Sequence, residues 1–331
     1  MICLGIETTA HTFGVGITTH KNKQWNILAN AKSTYTTKKG GIIPSKAADH
    51  HVKLCKTITN KALKEAKLTL KDIDLIAFSQ SPGIGHMLRV GTFFARTLSI
   101  QHKIPLIGVN HCIAHLEIGR ALTKAKDPIL LYASGANTQI IAYEAGKYRI
   151  MGETLDTGIG NFLDSFAREL GLGFPGGPKI EQLAKKSKTY TELPYSVKGM
   201  DVAFSGLLTH LKQKIKTKTF KKEALCFSVQ ETAFAMLVEV AERALAHTGK
   251  NELLLGGGVA CNNRLQEMCT IMCKERKAKM YCPEKQYLTD NGAMIAIAGT
   301  LAFKAGQKTT IQKSQIKPYV RTDEIEVSWR K

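Results

Sequence analysis

Two segments far apart in the chain share one pattern, an apolar strand, a short polar turn and a second apolar strand. In the first, Ile2–Ile6 leads into the turn Glu7–Thr12, and in the second, Ile129–Ala133 leads into Ser134–Asn137. Each segment predicts a hairpin whose tip is small, polar and rich in exposed backbone N–H groups. Two such tips that face each other across a cleft can hold a phosphate chain. This weak internal duplication constrains the fold more than any other feature.

Strands and helices alternate along the whole chain, which favours an α/β fold. Apolar or alternating runs predict strands at Ile2–Ile6, Gly14–Thr18, Asp74–Ser79, Pro105–Val109, Ile129–Ala133, Thr138–Tyr143 and Glu252–Leu255. Periodic apolar residues predict helices over Ser228–Ala246, which Gly249 ends, over Asn262–Lys277 and over Gly292–Phe303.

A length of 331 residues suggests two lobes. By analogy with actin, heat-shock ATPases and sugar kinases (the ASKHA architecture), the two hairpins predict a two-lobed α/β fold with a central cleft. We expect residues 1–128 plus 297–331 to form the first lobe and residues 129–296 the second.

Three glycine-rich turns fit a nucleotide site, Ser81–Gly85, Gly173–Pro178 and Gly256–Ala260. Glycines at such turns let the backbone approach a ligand, although each turn could equally be an ordinary tight turn. The chain lacks the Gly-Lys-Ser/Thr triplet of a P-loop. Residues 171–176 match GxGxxG but follow a helical pattern, so we reject a dinucleotide site there.

Two histidines, His111 and His115, follow an apolar run that predicts a buried strand, Ile104–Asn110. If a helix begins there, the two side chains lie one turn apart on one face and could bind a metal. They could also simply cap or line the start of the helix. A zinc protease would need glutamate directly after the first histidine, where this chain has Cys112.

Two carboxylates, Asp164 and Asp290, lie close to predicted helix starts. Either could be an N-cap. Asp290 could equally complete a metal site with two histidines from a distant segment.

A formal charge of +20 favours an acidic partner such as RNA, although a solvated surface would also explain it. The lysines cluster at 185–188 and 212–222. Eight scattered cysteines without a CxxC pair, two of them (Cys269 and Cys273) on an apolar helix face, favour buried thiols in a reducing compartment. No apolar run reaches the length of a membrane span and no targeting segment is recognisable, so we expect a cytoplasmic protein.

The chain resembles the tRNA N6-adenosine threonylcarbamoyltransferase family, the catalytic subunit of the archaeal and eukaryotic KEOPS complex, formerly labelled O-sialoglycoprotein endopeptidase. The resemblance covers residues 1–304 in order. It is carried by the segments Gly5–Ala10, Pro44–His51, Pro82–Gly91, Val109–His115, Phe174–Pro178, Met200–Leu207, Gly257–Arg264 and Asp290–Met294.

The resemblance implies roles for individual residues. His111, His115 and Asp290 would be catalytic and would bind one divalent metal, Fe²⁺ or Zn²⁺, with Tyr132 close to it. The other implied contacts are with the donor substrate: Ser134, Gly135 and Asn137 at its phosphate and acyl end, Asp164 and Glu181 at the ribose, and Gly177, Gly257 and Asn262 at the nucleoside. Separately from these roles, we expect Lys46 to contact RNA, because we place the segment Pro44–His51 at the rim of the cleft. The chain departs from the family at Ala136, where a second glycine is usual, and at His86, Met87 and Lys46.

The implied reaction moves a threonylcarbamoyl group from threonylcarbamoyl-adenylate to N6 of the adenine 3′ of the anticodon in ANN-decoding tRNAs, with AMP as the leaving group. N6 is a poor nucleophile, so a metal would activate the donor carbonyl, and Cys112 would be a packing residue. Partners would be tRNA and the KEOPS subunits, including a small atypical kinase/ATPase. The alternative is a non-catalytic ASKHA-type nucleotide-binding regulatory subunit, and metal content would separate the two.

Overall fold

The computed structural model describes residues 1–22, 24–37, 41–217 and 220–330. Its strands are β1 (Ile2–Glu7), β2 (Thr12–Lys21), β3 (Gln24–Thr34), β4 (Leu75–Ser81), β5 (Leu106–Asn110), β6 (Ile129–Ala133), β7 (Thr138–Glu144), β8 (Lys147–Glu153), β9 (Val197–Lys198), β10 (Asp201–Val202), β11 (Glu252–Gly256) and β12 (Lys279–Tyr281). Its α-helices are α1 (Pro44–Ala66), α2 (Gly85–His102), α3 (His111–Leu122), α4 (Ile159–Glu169), α5 (Gly177–Ala184), α6 (Ser205–Thr217), α7 (Lys222–Thr248), α8 (Asn263–Glu275), α9 (Lys285–Leu288) and α10 (Gly292–Lys304).

Two five-stranded sheets repeat one topology. The first has the order β3-β2-β1-β4-β5 and the second β12-β11-β6-β7-β8. In each, an antiparallel three-stranded meander precedes two strands that add in parallel beside its first strand. The two predicted hairpins are β1–β2 and β6–β7, so the predicted internal duplication is confirmed. Because β1, β4 and β5 are parallel, their carboxyl ends lie at one edge of the first sheet.

Helix α10 lies directly on the first sheet. A Cβ atom at Gly5 would come within 2.3 Å of the backbone of Gly292 and Ala296, and one at Gly16 within 2.1 Å of Ala293 N. Glycine at these two strand positions therefore lets helix and sheet backbones pack against each other. The lobe boundary predicted at 296/297 falls inside this helix, and the predicted division into lobes stays a prediction.

Most predicted elements are confirmed within a few residues, but the start of helix α7 differs, and several elements were not predicted, among them α1, α6, β3, β8 and β12. Helix α7 begins at Lys222, six residues before its predicted start, and ends at Gly249, whose φ is 68°. Strand β3 was not predicted, because it is a half-exposed strand without regular alternation of apolar residues. Lys218 of the predicted lysine cluster lies outside the described residues.

Helix α7 corrects the expectation that no apolar segment is long enough to span a membrane. At 27 residues it passes that test by length and composition. However, 72% of its most apolar window is buried inside the protein, and its buried residues belong to the core beneath the second sheet. Burial of this kind is typical of a core helix.

The C-terminal segment, residues 309–330, joins the two sheets. At the first sheet, Lys317 N donates to Gln80 O of β4 at 2.9 Å, and Arg96 Nε of the adjacent helix α2 donates to Ser314 Oγ at 2.6 Å. At the second, Arg321 pairs with Glu153 of β8 at 2.9 Å. Trp329 Nε1 then donates to the buried carboxylate of Glu117 on α3 at 2.7 Å.

Candidate metal centre and nucleotide cleft

His111 and His115 lie at the start of a helix that begins at the carboxyl end of β5. The side chain of Asn110 caps α3 by accepting from Ile113 N at 3.1 Å. The predicted strand-to-helix turn is therefore confirmed, and a different residue performs the capping. Both histidine rings are buried, with centroids 4.8 Å apart.

Asp290 precedes α10 but does not cap it. Asn291 is the N-cap, since its Oδ1 accepts from Met294 N at 3.0 Å. The capping alternative for Asp290 is therefore wrong. Its Oδ1 lies 3.5 Å from His111 Nε2 and 3.4 Å from His115 Nε2.

The donor set of these three residues fits a metal ion. One ligand atom from each residue lies within 4.8 Å of the others. Two donors bound at about 2.1 Å to one tetrahedral ion lie about 3.4 Å apart, and both Asp290–histidine distances match that separation. Among the described residues, Nδ1 of His115 has no hydrogen-bond partner, and Nε2 has only the long 3.4 Å contact with Asp290, although both nitrogens are buried. Unpaired buried nitrogens are costly, and a metal bond would satisfy one of them.

Glu7 is a residue of this centre to which the sequence analysis gave no role. Its Oε2 lies 2.9 Å from His111 Nδ1, and its Oε1 accepts from Thr9 N at 2.6 Å. Burial disfavours the charged imidazole, but Glu7 and Asp290 outweigh it and raise the pKa of His111 to about 9. A carboxylate at Nδ1 fixes the tautomer in which Nε2 presents a lone pair to a metal. The only sequence signal was an acid at the end of a buried strand.

Tyr132 lies against both histidines, as the resemblance implied. Its hydroxyl is 3.0 Å from His111 Nε2, and its ring centroid is 5.0 Å from that of His115. Burial raises its pKa well above the usual value, so it is a neutral phenol.

Cys112, between the two histidines, points into a hydrophobic cluster and is 1% exposed. Burial raises the pKa of its thiol to about 12. The thiolate is the nucleophilic form of cysteine, so the interpretation of Cys112 as a packing residue is supported.

The β6–β7 tip holds Ser134, Gly135 and Asn137. It is closed by a hydrogen bond from Ser134 N to Asn137 O at 3.1 Å, and Asn161 N on α4 donates to Gly135 O at 2.9 Å. Ala136 does not appear among the described residues with positive φ. Alanine therefore fits this tip without backbone strain, although the family usually has glycine there.

One cleft of about 520 Å³ extends from Asp290 to the predicted nucleoside residues. Of the predicted residues, those that line it are Gly135, Asp164, Gly177, Glu181, Asn262 and Asp290. Its rim also includes Lys32, whose Nζ donates to Thr289 Oγ1 at 2.6 Å. The predicted metal ligand and the predicted ribose residues thus border a single cavity.

Both predicted ribose carboxylates are held by neighbouring backbone. Asp164 lies inside α4, whose N-cap is Gly158, so the capping alternative for it is wrong. Its Oδ1 accepts from Gly176 N at 2.6 Å, and burial raises its pKa. Glu181 pairs with Lys185 at 3.0 Å and accepts from Asn263 N at 3.3 Å.

For three predicted contact residues, the structure shows a structural role or a position outside the cleft lining. The side chain of Asn262 caps α8 by accepting from Arg264 N at 2.8 Å, although the residue also lines the cleft. Gly257 has a φ of 89°, and a Cβ there would lie 2.4 Å from Ala133 O, so its glycine is a backbone requirement. Lys46 is exposed in the first turn of α1 and is not among the residues that line the cleft.

Comparison with protein families gives a match over most of the chain. A model described as "tRNA N6-adenosine threonylcarbamoyltransferase" matches residues 26–297. Proteins of that name from Thermococcus sibiricus and Thermococcus kodakarensis are 56% and 55% identical over 329 residues, which cover 99% of this chain and 100% of each relative. A Methanosarcina mazei protein named "Probable bifunctional tRNA threonylcarbamoyladenosine biosynthesis protein" is 52% identical, over 99% of this chain and 59% of its own length.

Solved structures confirm the two-lobed ASKHA architecture. Full-length HypF in a phosphate- and nucleotide-bound form aligns with a TM-score of 0.61 at 16% identity, over 91% of this chain and 46% of HypF. Component A of the Acidaminococcus fermentans (R)-2-hydroxyglutaryl-CoA dehydratase aligns with a TM-score of 0.57 at 14% identity, over 92% of this chain and 98% of that protein.

Proposed function

Because the chain belongs to the tRNA N6-adenosine threonylcarbamoyltransferase family, we propose that it transfers a threonylcarbamoyl group from threonylcarbamoyl-adenylate to tRNA. The acceptor is N6 of the adenine 3′ of the anticodon in ANN-decoding tRNAs. N6 attacks the donor carbonyl carbon, the bond from that carbon to the phosphate oxygen breaks, AMP leaves and N6 loses a proton.

The observation that carries this proposal is that Asp290 belongs both to the His111–His115 group and to the lining of the cleft. An adenylate whose ribose lies at Asp164 and Glu181 would then extend its acyl phosphate toward the metal centre. Gly135 of the β6–β7 tip lines the same cleft, and we propose that the tip, with Ser134 and Asn137, contacts the phosphate and acyl end.

We assign one divalent ion, Fe²⁺ or Zn²⁺, to His111, His115 and Asp290, with Tyr132 beside them. Both metals accept two imidazoles and a carboxylate. A metal in this position supplies Lewis-acid polarisation of the donor carbonyl. Glu7 orients His111 at Nδ1, and the buried Tyr132 places its hydroxyl 3.0 Å from His111 Nε2.

The partners in this proposal are tRNA, threonylcarbamoyl-adenylate and the KEOPS subunits, among them a small atypical kinase/ATPase, in the cytoplasm. Neither the described geometry nor the comparisons favour a non-catalytic regulatory subunit. Beside the cleft, His111, His115 and Asp290 together offer three ligand atoms that could bind a metal.

The test is a transfer assay with the purified chain, threonylcarbamoyl-adenylate and tRNA, with and without the partner subunits, in which the modified nucleoside is measured by mass spectrometry. We expect product with ANN-decoding tRNA and none with a tRNA whose anticodon decodes other codons. Asp290→Asn is the inactive control. Absence of product in the assembled, metal-loaded complex would refute the proposal.

A further inference from the structure

Tyr319 is the most exposed large apolar side chain among the described residues, at 92% exposure. The residues on both sides of it are nevertheless held, by backbone hydrogen bonds before it and by a side-chain ion pair after it. Lys317 N donates to Gln80 O at 2.9 Å, Pro318 O accepts from Gly83 N at 3.2 Å, and Arg321 pairs with Glu153 at 2.9 Å. A fixed backbone that presents an aromatic ring to water is typical of a binding surface, because the ring costs little entropy to immobilise.

The position of Tyr319 links it to the metal centre. Its neighbour Pro318 contacts Gly83 in the turn that follows β4. In the same turn, Ile84 N donates to Thr9 O at 2.8 Å, and Thr9 Oγ1 lies 3.2 Å from His111 Nδ1. This series of contacts connects the segment that carries Tyr319 to the edge of the first sheet where β1, β4 and β5 end, beside His111.

The surroundings of Tyr319 are basic. Lys317 and Arg321 flank it in the chain, and both are exposed. A Cβ atom added at Gly85 would lie 4.0 Å from Pro318 Cγ, and Gly85 begins the helix that carries the exposed side chains of His86 and Arg89. Arg321 is paired with both Glu153 and Asp323, so Lys317 and Arg89 are the nearby cations that make no ion pair among the described residues.

We propose that Tyr319 stacks on an unpaired base of the tRNA anticodon loop beside the reacting adenosine. This inference rests on the proposed function. An enzyme that modifies the exocyclic amine of one base must take that base out of its stack, which leaves neighbouring bases without a stacking partner. Aromatic side chains replace that partner in proteins that bind single-stranded RNA, and nearby cations contact the phosphates. The basic surroundings favour RNA over a protein partner.

The experiment measures binding of a synthetic anticodon stem-loop RNA to the full metal-loaded chain at low salt, where electrostatic binding is strongest. Tyr319→Ala should weaken binding roughly 5- to 150-fold, the range for removal of one base–aromatic stack. Tyr319→Phe should retain affinity, and Tyr319→Leu should lose it, because Leu keeps apolar surface without a π face. Tyr195→Ala is the matched control, since Tyr195 is 49% exposed but donates to Glu239.

Equal affinity of the wild type and Tyr319→Ala, with normal transfer by the wild type, would overturn the stacking role and leave the proposed function intact. Loss of partner-subunit binding in Tyr319→Ala, with RNA affinity unchanged, would assign the ring to a protein interface instead and would also overturn the proposal. Failure of the wild type itself to transfer would count against the proposed function alone.

Discussion

The carboxylate of Glu7 lies 2.9 Å from Nδ1 of His111, although 104 positions separate the two residues in the chain. Since an ionised carboxylate only accepts hydrogen bonds, Nδ1 is the donor. When His111 loses its proton on Nε2, as a metal ligand must, the lone pair of Nε2 faces Asp290 and Tyr132, where a metal would bind.

Replacing Glu7 by Gln should lower metal affinity about 10- to 100-fold, because the amide no longer supplies the charge that makes His111 a stronger ligand. Competition of the apo-protein with a chromogenic chelator measures this affinity. Glu65→Gln, on the exposed face of α1, is the control and should bind metal normally. Wild-type affinity in Glu7→Gln would show that this contact has no influence on the metal.

His115→Ala and Asp290→Asn should each reduce bound metal to a small fraction of one ion per chain while leaving the fold intact. The capping of α10 depends on Asn291, so loss of the Asp290 charge should not unfold that helix. Elemental analysis and circular dichroism are the two measurements. A variant that loses its metal yet transfers at the wild-type rate would refute the assignment.

Glu181→Ala should weaken binding of adenosine and AMP alike, by roughly 10-fold, because a carboxylate that accepts from ribose hydroxyls is lost. Affinity for tRNA should change little. Calorimetric titration measures the nucleotide affinity. Lys185→Ala removes the partner of Glu181 at 3.0 Å and is the control for an indirect effect. Equal loss in both variants would mean that the ion pair, rather than ribose contact, is responsible.

Lys46→Glu should reduce the salt dependence of tRNA binding by about one counterion equivalent, because one phosphate contact is lost. The measurement is the slope of the logarithm of affinity against that of salt concentration. Lys274→Glu changes charge equally on the exposed face of α8 and should leave the slope unchanged. If both variants shift the slope equally, the positive charge acts as a general field without a defined contact.

His51 should make the free energy of unfolding depend on pH. Burial lowers its folded-state pKa to about 4, although a hydrogen bond to the Ala10 carbonyl at 3.0 Å partly opposes that decrease. An unfolded histidine titrates near 6.5. The unfolded state therefore binds the proton more readily, and stability should fall as the pH drops from about 6.5 toward 4. Denaturant titrations across this range should show a shallower fall for His51→Gln than for the wild type. His102→Gln, at an exposed position, should behave as the wild type.

The features that the sequence predicted correctly depend on short-range patterns. The β1–β2 and β6–β7 hairpins, and the helix that begins at His111, follow from apolar periodicity and polar turns within a few residues. The missed features depend on distant partners. The role of Glu7 depends on its contact with His111, which is distant in the chain. The N-caps Asn110 and Asn291 were missed because each directly neighbours a predicted metal ligand that was itself considered as a cap. Strand β3 was missed because sheet pairing, rather than its own residue pattern, stabilises it.

The C-terminal segment restrains the two sheets through noncovalent bonds, in addition to their covalent connection along the chain. It holds Arg96 near one end, Glu153 in its middle and Glu117 near the other, so it crosses from one half of the protein to the other. A hinge motion that opened the cleft widely would have to break some of these bonds. Entry of the donor and release of AMP must therefore proceed through small adjustments around an already assembled site. Otherwise the C-terminal segment must first detach.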